Sequence, residues 1–443
     1  MDILIKVLQL LLSLSILVIF HEFGHFITAK IFKTRVEKFY LFFNPWFSIF
    51  KFRIGETEYG MGWLPLGGYV KISGMIDESM DKEQMKKPPE PYEFRAKPAW
   101  QRLIIMLGGV LVNVILAAFI YIFMLTAWGE QYLLTSEVNK YGIAVDSLGY
   151  ELGLREGDRI LSIDGEEVER FSKIPVHLIL EEAKTVQVIR DGEKKSIEIP
   201  KGFLGKLVKS KSPDFISIRF PFEVADFSPD SPAKKAGLQE GDKLIGINDK
   251  YLEYFHQFVQ EIQNHKNEEI TIRVLRNNAD TLAYKMKVPE GGRLGIYRQP
   301  LETYFNFEED HYNFFQAIPA GIDKAYHGIG EYLKQLKLLF SPEVKAYESV
   351  GGFITIGSIF PSTWNWQHFW RLTAFLSIML AILNILPIPA LDGGHVIFVL
   401  YEMIAGRKPS DKFLEYAQIV GMVILFGILI WANGNDIIRL FNN

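Results

Sequence analysis

The sequence predicts a polytopic α-helical membrane protein of about four transmembrane helices, with two β-rich α+β domains between the second and third spans. Three observations carry this expectation. Four apolar stretches approach the length needed to cross a bilayer. Lys and Arg cluster in two segments between those stretches. A motif at Gly153–Gly165 recurs, at a domain-sized interval, at Gly237–Asp249. Composition agrees. The chain has 443 residues, 49 % hydrophobic and 14 % aromatic, and its mean hydropathy of +0.09 is high for a purely water-soluble chain with 23 % charged residues. A net charge of −4 offers no basic face for nucleic acid. The absence of cysteine excludes disulfides, Cys-zinc sites, iron–sulfur clusters and thiol nucleophiles. Any metal must be held by His, Asp or Glu.

Residues 1–30 read as the first transmembrane helix. The run from Ile3 to Phe20 lacks a basic leader and a small-residue cleavage site, so it is expected to be retained. Residues 31–100 form a loop rich in Lys and Arg, and 101–128 the second span. Residues 129–205 and 206–292 cover the two copies of the repeat. Residues 293–365 contain an amphipathic helix, Ala317–Leu339, expected on the outer membrane-facing surface or against the repeat pair. Residues 366–395 are the third span and 412–434 the fourth. Cytoplasmic loops are enriched in Lys and Arg. That rule places 31–100 and the Arg407, Lys408, Lys412 link in the cytoplasm, and the repeats and both termini outside. Within 31–100, Phe39–Ile54 and Glu58–Ile72 are too short to span and rich in strand-forming residues. They predict a membrane-associated β-hairpin. Its exposed edge could hold an unwound peptide by strand addition, or the hairpin could simply be anchored by its aromatics.

Each repeat reads as a turn, an alternating strand and a polar turn, followed by an amphipathic stretch (Val176–Ala183; Phe255–Ile262). A strand pair then follows: Thr185–Arg190 with Ser196–Ile199, and Ile270–Leu275 with Leu282–Val288. The Gly237-Leu238-Gln239-Glu240-Gly241-Asp242 core resembles PDZ domains of the permuted bacterial kind. PDZ domains receive extended peptides or C-termini. These residues fit either grooves that contact peptide or substrate, or β-rich spacers with occluded grooves.

The chemistry lies in His21-Glu22-Phe23-Gly24-His25, inside the first span. Positions i and i+4 share a helix face, so two imidazoles can grip one metal ion. Glu22, beside them, can serve as general base on a metal-activated water. Ionisable groups in an apolar span are unfavourable unless used or paired. A catalytic metal of this type needs a third protein ligand. The best candidate is Asp392, in Asn384-Ile385-Leu386-Pro387-Ile388-Pro389-Ala390-Leu391-Asp392-Gly393-Gly394-His395. Two prolines break the helix at membrane depth, which is tolerated only where backbone lines protein or a wet cavity. Asp392 could alternatively cap the next helix. Asn384 could donate to a substrate carbonyl, and His395 could be a ligand, a supporting group or a turn residue.

HEFGH in the first span, NILPIPALDGGH in the third and PDZ-like repeats between them resemble the site-2 protease family over nearly the whole chain. The resemblance implies a zinc metalloendopeptidase that cuts transmembrane segments of single-span membrane proteins in the lipid bilayer. Anti-sigma factors and signal-peptide remnants are the substrates it implies. It makes His21, His25 and Asp392 the Zn²⁺ ligands, Glu22 the catalytic base and Asn384 a substrate-binding residue. Pro387 and Pro389, with Gly67 and Gly68 of the hairpin, would help hold the extended substrate. Gly108-Gly109-Val110…Asn113 matches the family's second span, with Val110 where Pro is usual. Ser349-Val350-Gly351-Gly352 stands where relatives often have Ser-Gly-Pro. Two rival readings are a non-catalytic membrane PDZ scaffold and a metal transporter. The second would need more His and acidic residues across several spans.

Overall fold

A computed structural model describes residues 2–65, 67–75, 88–210, 215–277, 279–339 and 351–442. Ser349 and Val350 lie outside the described residues. The chain forms two compact units: Met1–Gly129, His311–Leu339 and the C-terminal helices in one, and Glu130–Asp310 in the other.

The first unit contains helices α1 (Asp2–Ile31), α2 (Ala99–Trp128), α3 (Phe314–Leu339), α4 (Phe353–Ser358), α5 (Trp366–Ile385), α6 (Asp392–Ala405) and α7 (Asp411–Asn442). Among the described residues, four helices are long and apolar enough to cross a membrane, lying at α1, α2, α5 and α7. Leu17, Leu116, Ile120, Phe369 and Leu376 pack together inside the bundle, while Ile115, Phe119, Val423 and Ile430 are exposed. Apolar contact alone drives helices together weakly in lipid, so small residues and interhelical hydrogen bonds matter more. Both are present. A Cβ on Gly24 would overlap the Gly108 carbonyl, so α1 and α2 cross backbone to backbone. Thr373 donates to Ser13 at 3.0 Å, and Ser377 donates to the Asn113 carbonyl at 2.8 Å.

The amphipathic helix of the sequence reading is α3. Ala317, Gly321 and Ala325 are buried on one face, Gly321 lies against Ile122 of α2, and Tyr332 clusters with Ala117, Ile378 and Ile382. It therefore packs on α2 and α5. Its periodicity marks a buried face, but the stripe of small residues is what selects a neighbouring helix as partner.

The expected hairpin is part of a larger sheet. Strands β1 (Val36–Leu41), β2 (Phe43–Ile54), β3 (Thr57–Leu64) and β4 (Tyr69–Ile72) stand in the order β2-β3-β1-β4. The true hairpin is β2–β3, with Arg53 opposite Glu58 and Ile54 opposite Thr57. β1 runs parallel to β3, and β4 pairs antiparallel with β1 as an edge strand. Phe42, at φ +67, separates β1 from β2, a break hidden within an aromatic run. Trp46 is 91 % exposed, and Trp46 and Phe47 stack on Trp63.

In the second unit each repeat has its own core. Asp158 and Asp242 are fully buried and each grips one arginine through both carboxylate oxygens, Arg190 and Arg276 respectively. A buried carboxylate requires such pairing. The first core also includes Phe203, Leu207, Phe215 and Ile216, because strand Ile216–Ile218 pairs back onto Ile143–Val145. The second is closed likewise by Ile296–Arg298 on Val224–Phe227. The expected boundaries at 205 and 292 therefore fall short of each closing strand. Periodicity within the repeat could not reveal that its last strand returns to its first.

Candidate metal centre

α5 ends where Pro387 makes continued helix unfavourable for the residue before it. Leu386 has extended backbone, Ala390 adopts φ +79, and α6 restarts at Asp392. The two glycines after Asp392 let α6 turn back tightly. A Cβ on Gly393 would overlap the carbonyls of Ile385 and Leu386, and one on Gly394 would meet that of Ile388 at 2.6 Å. Leu391, not Asp392, is the capping residue, so the Asp392 carboxylate is free to turn towards α1.

There it meets both histidines. Asp392 Oδ2 lies 3.2 Å from His21 Nε2 and 3.2 Å from His25 Nε2, and the two Nε2 atoms are 3.3 Å apart. Zinc bonds to N and O of about 2.0–2.1 Å place tetrahedral ligand atoms about 3.3–3.4 Å apart. The donor set matches that spacing. Tautomers fit as well. His25 Nδ1 lies 2.9 Å from the Ile105 carbonyl, which can only accept, so Nδ1 carries the proton and the Nε2 lone pair faces the other donors. His21 Nδ1 is 3.3 Å from the Asn113 amide nitrogen, and Asn113 Oδ1 is buried without a partner. Turning that amide over gives Oδ1 the Nδ1 proton to accept and leaves His21 Nε2 free for metal. A cation satisfies all three converging lone pairs at once. Outer partners of this kind orient metal-binding histidines, so Asn113→Leu is expected to weaken zinc binding about 10–100-fold, measured by competition with a chromogenic chelator.

The centre opens into a cavity of about 650 Å³ lined by His21, Glu22, His25, Gly68, Asp392 and β4, among others. Glu22 faces this cavity beside the histidines. Asn384 Nδ2 lies 3.3 Å from His21 Nε2. Gly68 packs between the Tyr40 carbonyl and Val18, bringing β4 to the cavity, while Gly67 faces the Phe43 ring. Pro387 is exposed. Pro389 packs under Gly394 and Gly421, so it shapes the break. The sequence reading gave Asn113 and Gln418 no chemical role. Asn113 was visible only as a position matching the family's second span. Gln418, a lone amide in the last apolar run, carried no motif at all. His395, left open in that reading, lies on the cavity wall.

A bundle of membrane-length helices around a buried His-His-Asp group, with a glutamate beside it, defines a membrane-embedded metalloprotease. Comparison with known proteins agrees: the model of peptidase family M50 matches residues 9–428, and the chain belongs to that family. Zinc is the metal that its donor set and family membership call for. A Campylobacter jejuni protein named "Putative zinc metalloprotease Cj1068" is 30 % identical, over 98 % of this chain and 94 % of its own length. Regulator of sigma-E protease RseP of Escherichia coli is 26 % identical over 97 % and 98 %. Regulator of sigma E protease of Haemophilus influenzae is similar to the same extent, 26 % over 97 % and 98 %.

Proposed function

We propose that this chain is an intramembrane zinc protease that cleaves the transmembrane segments of single-span membrane proteins in regulated intramembrane proteolysis. The observation that carries this reading is the meeting of His21, His25 and Asp392 at ligand spacing beside Glu22, on helices of membrane length. Likeness to the regulator of sigma-E proteases supports anti-sigma factors or signal-peptide remnants as substrates. It also supports residence in a bacterial inner membrane. The Lys- and Arg-rich segments support placing the two repeats, read as PDZ domains, on the periplasmic side.

His21, His25 and Asp392 hold the zinc ion. Bound there, zinc would lower the pKa of water and polarise the scissile carbonyl. A transmembrane helix shields its own peptide bonds, so the substrate must be drawn out as a strand. β4, the edge strand of its sheet among the described residues and part of the cavity wall, suits that task. Asn384 donates its amide N–H to the carbonyl under attack. Glu22 takes a proton from the attacking water and returns it to the leaving amine. The second repeat carries a cavity of about 700 Å³ beside helix Phe255–Asn264, a place for peptide contact. In the first, Phe203 and Leu207 of helix Phe203–Ser210 fill the core instead.

The test is direct. Purified protein in detergent should cleave a synthetic single-span peptide. Treatment with 1,10-phenanthroline should abolish cleavage, and stoichiometric Zn²⁺ should restore it. A zinc-replete protein that binds peptide without cutting it would favour the scaffold.

A further inference from the structure

Helix α7 brings one polar side chain to the catalytic cavity. Gln418 is 3 % exposed, lies in the apolar run Ala417–Trp431 of α7 and lines the cavity together with His21, Glu22, His25 and Asp392. It makes no hydrogen bond to any other described residue. Its amide stands open to the cavity rather than sealed in protein, so it can hydrogen-bond to whatever fills that space. The position is also held firmly. Gly421, three residues on and therefore on the same helix face, lies so close to Pro389 that a Cβ would overlap the Pro389 carbonyl. That contact sets the depth and rotation of α7 against the α5–α6 break, and so fixes where the amide sits.

A side-chain amide carries one acceptor and two donors, the complement of a peptide unit's N–H and C=O. An extended chain in the cavity presents such groups on two edges. β4 can pair with only one of them, and an unpaired edge is costly where water is scarce. We infer that Gln418 binds the main chain of the extended substrate through one peptide unit, completing the pairing that β4 begins. This rests on the protease reading, and it adds a substrate-binding residue from the last span.

The test uses the full chain in detergent with Glu22→Gln, so that binding is read without cleavage. The probe is a fluorescein-labelled Leu/Ala peptide of about 20 residues, enough to span, with a central Gly-Ser pair. Gln418→Met keeps the side chain's volume and helix preference while removing both amide functions. The expected result is a rise of about tenfold in probe Kd by fluorescence anisotropy, the loss of one hydrogen bond, with zinc content and thermal transition unchanged. Gln418→Asn should recover part of the affinity. With Glu22 intact, Gln418→Met should raise KM more than it lowers kcat. An unchanged Kd and KM in a zinc-loaded Gln418→Met protein would overturn the inference and leave Gln418 holding only water. If the protein with Glu22 intact fails to cut the probe, the protease reading falls. The ratio of the two Kd values still decides whether Gln418 binds peptide.

Discussion

Glu22→Gln is expected to lower the cleavage rate about 10²- to 10⁴-fold, the usual worth of a general base, while the protein keeps its zinc. Gln has the same shape as Glu but cannot accept a proton, so the change removes one function and little else. Glu22 is not one of the three converging donors, and His21 and His25 keep their Nδ1 contacts to Asn113 and Ile105. The predicted loss corresponds to about 3–5 kcal/mol of transition-state stabilisation. Initial rates on a labelled single-span peptide, with zinc measured by atomic absorption on the same samples, check both halves. A rate within tenfold of wild type would assign the proton transfer to another group.

Gly109→Val is expected to strip the metal altogether. A Cβ on Gly109 would press into His25 Nε2 and the His21 ring, the face that the ligands need. α2 has little room to move away, because on its other sides it packs on α3, with Gly321 against Ile122, and on α5, with Ser377 bonded to the Asn113 carbonyl. The added branched side chain must therefore displace the imidazoles. Zinc content should fall to background, and cleavage with it, while far-UV circular dichroism keeps its helical amplitude. Gly427→Ala on α7 is the control: nothing lies within 4 Å of a Cβ there, so zinc and activity should stay as in wild type. Retained zinc in Gly109→Val would mean that the two helices can part without harm.

These expectations separate what the sequence made visible from what it did not. Helical spacing placed His21 and His25 on one face, and two prolines marked the break that carries Asp392. Both signals are local, and local signals can be read along a chain. Asn113 and Gln418 meet neighbours far away in sequence. Their meaning depends on which helix faces which, and amphipathic patterning leaves that open. The same limit explains α3, whose buried face was foreseen but not its partner. It also explains the parallel pairing of β1 with β3, which no adjacent turn announces. The three converging donors were thus legible in the sequence, whereas the groups around them emerged only once the helices were packed.

The donors that meet at the centre, His21, His25 and Asp392, stand 367 residues or more apart between the histidine pair and the carboxylate. During synthesis the two histidines leave the ribosome first, and the carboxylate follows only after the long stretch between them has been made. At about 5–20 residues per second, the delay is on the order of tens of seconds. Throughout that interval the nascent chain carries two of the three donors and no competent active centre. A membrane that is busy receiving other newly made helices is therefore not exposed to a working protease until the residue that completes its metal site has been made.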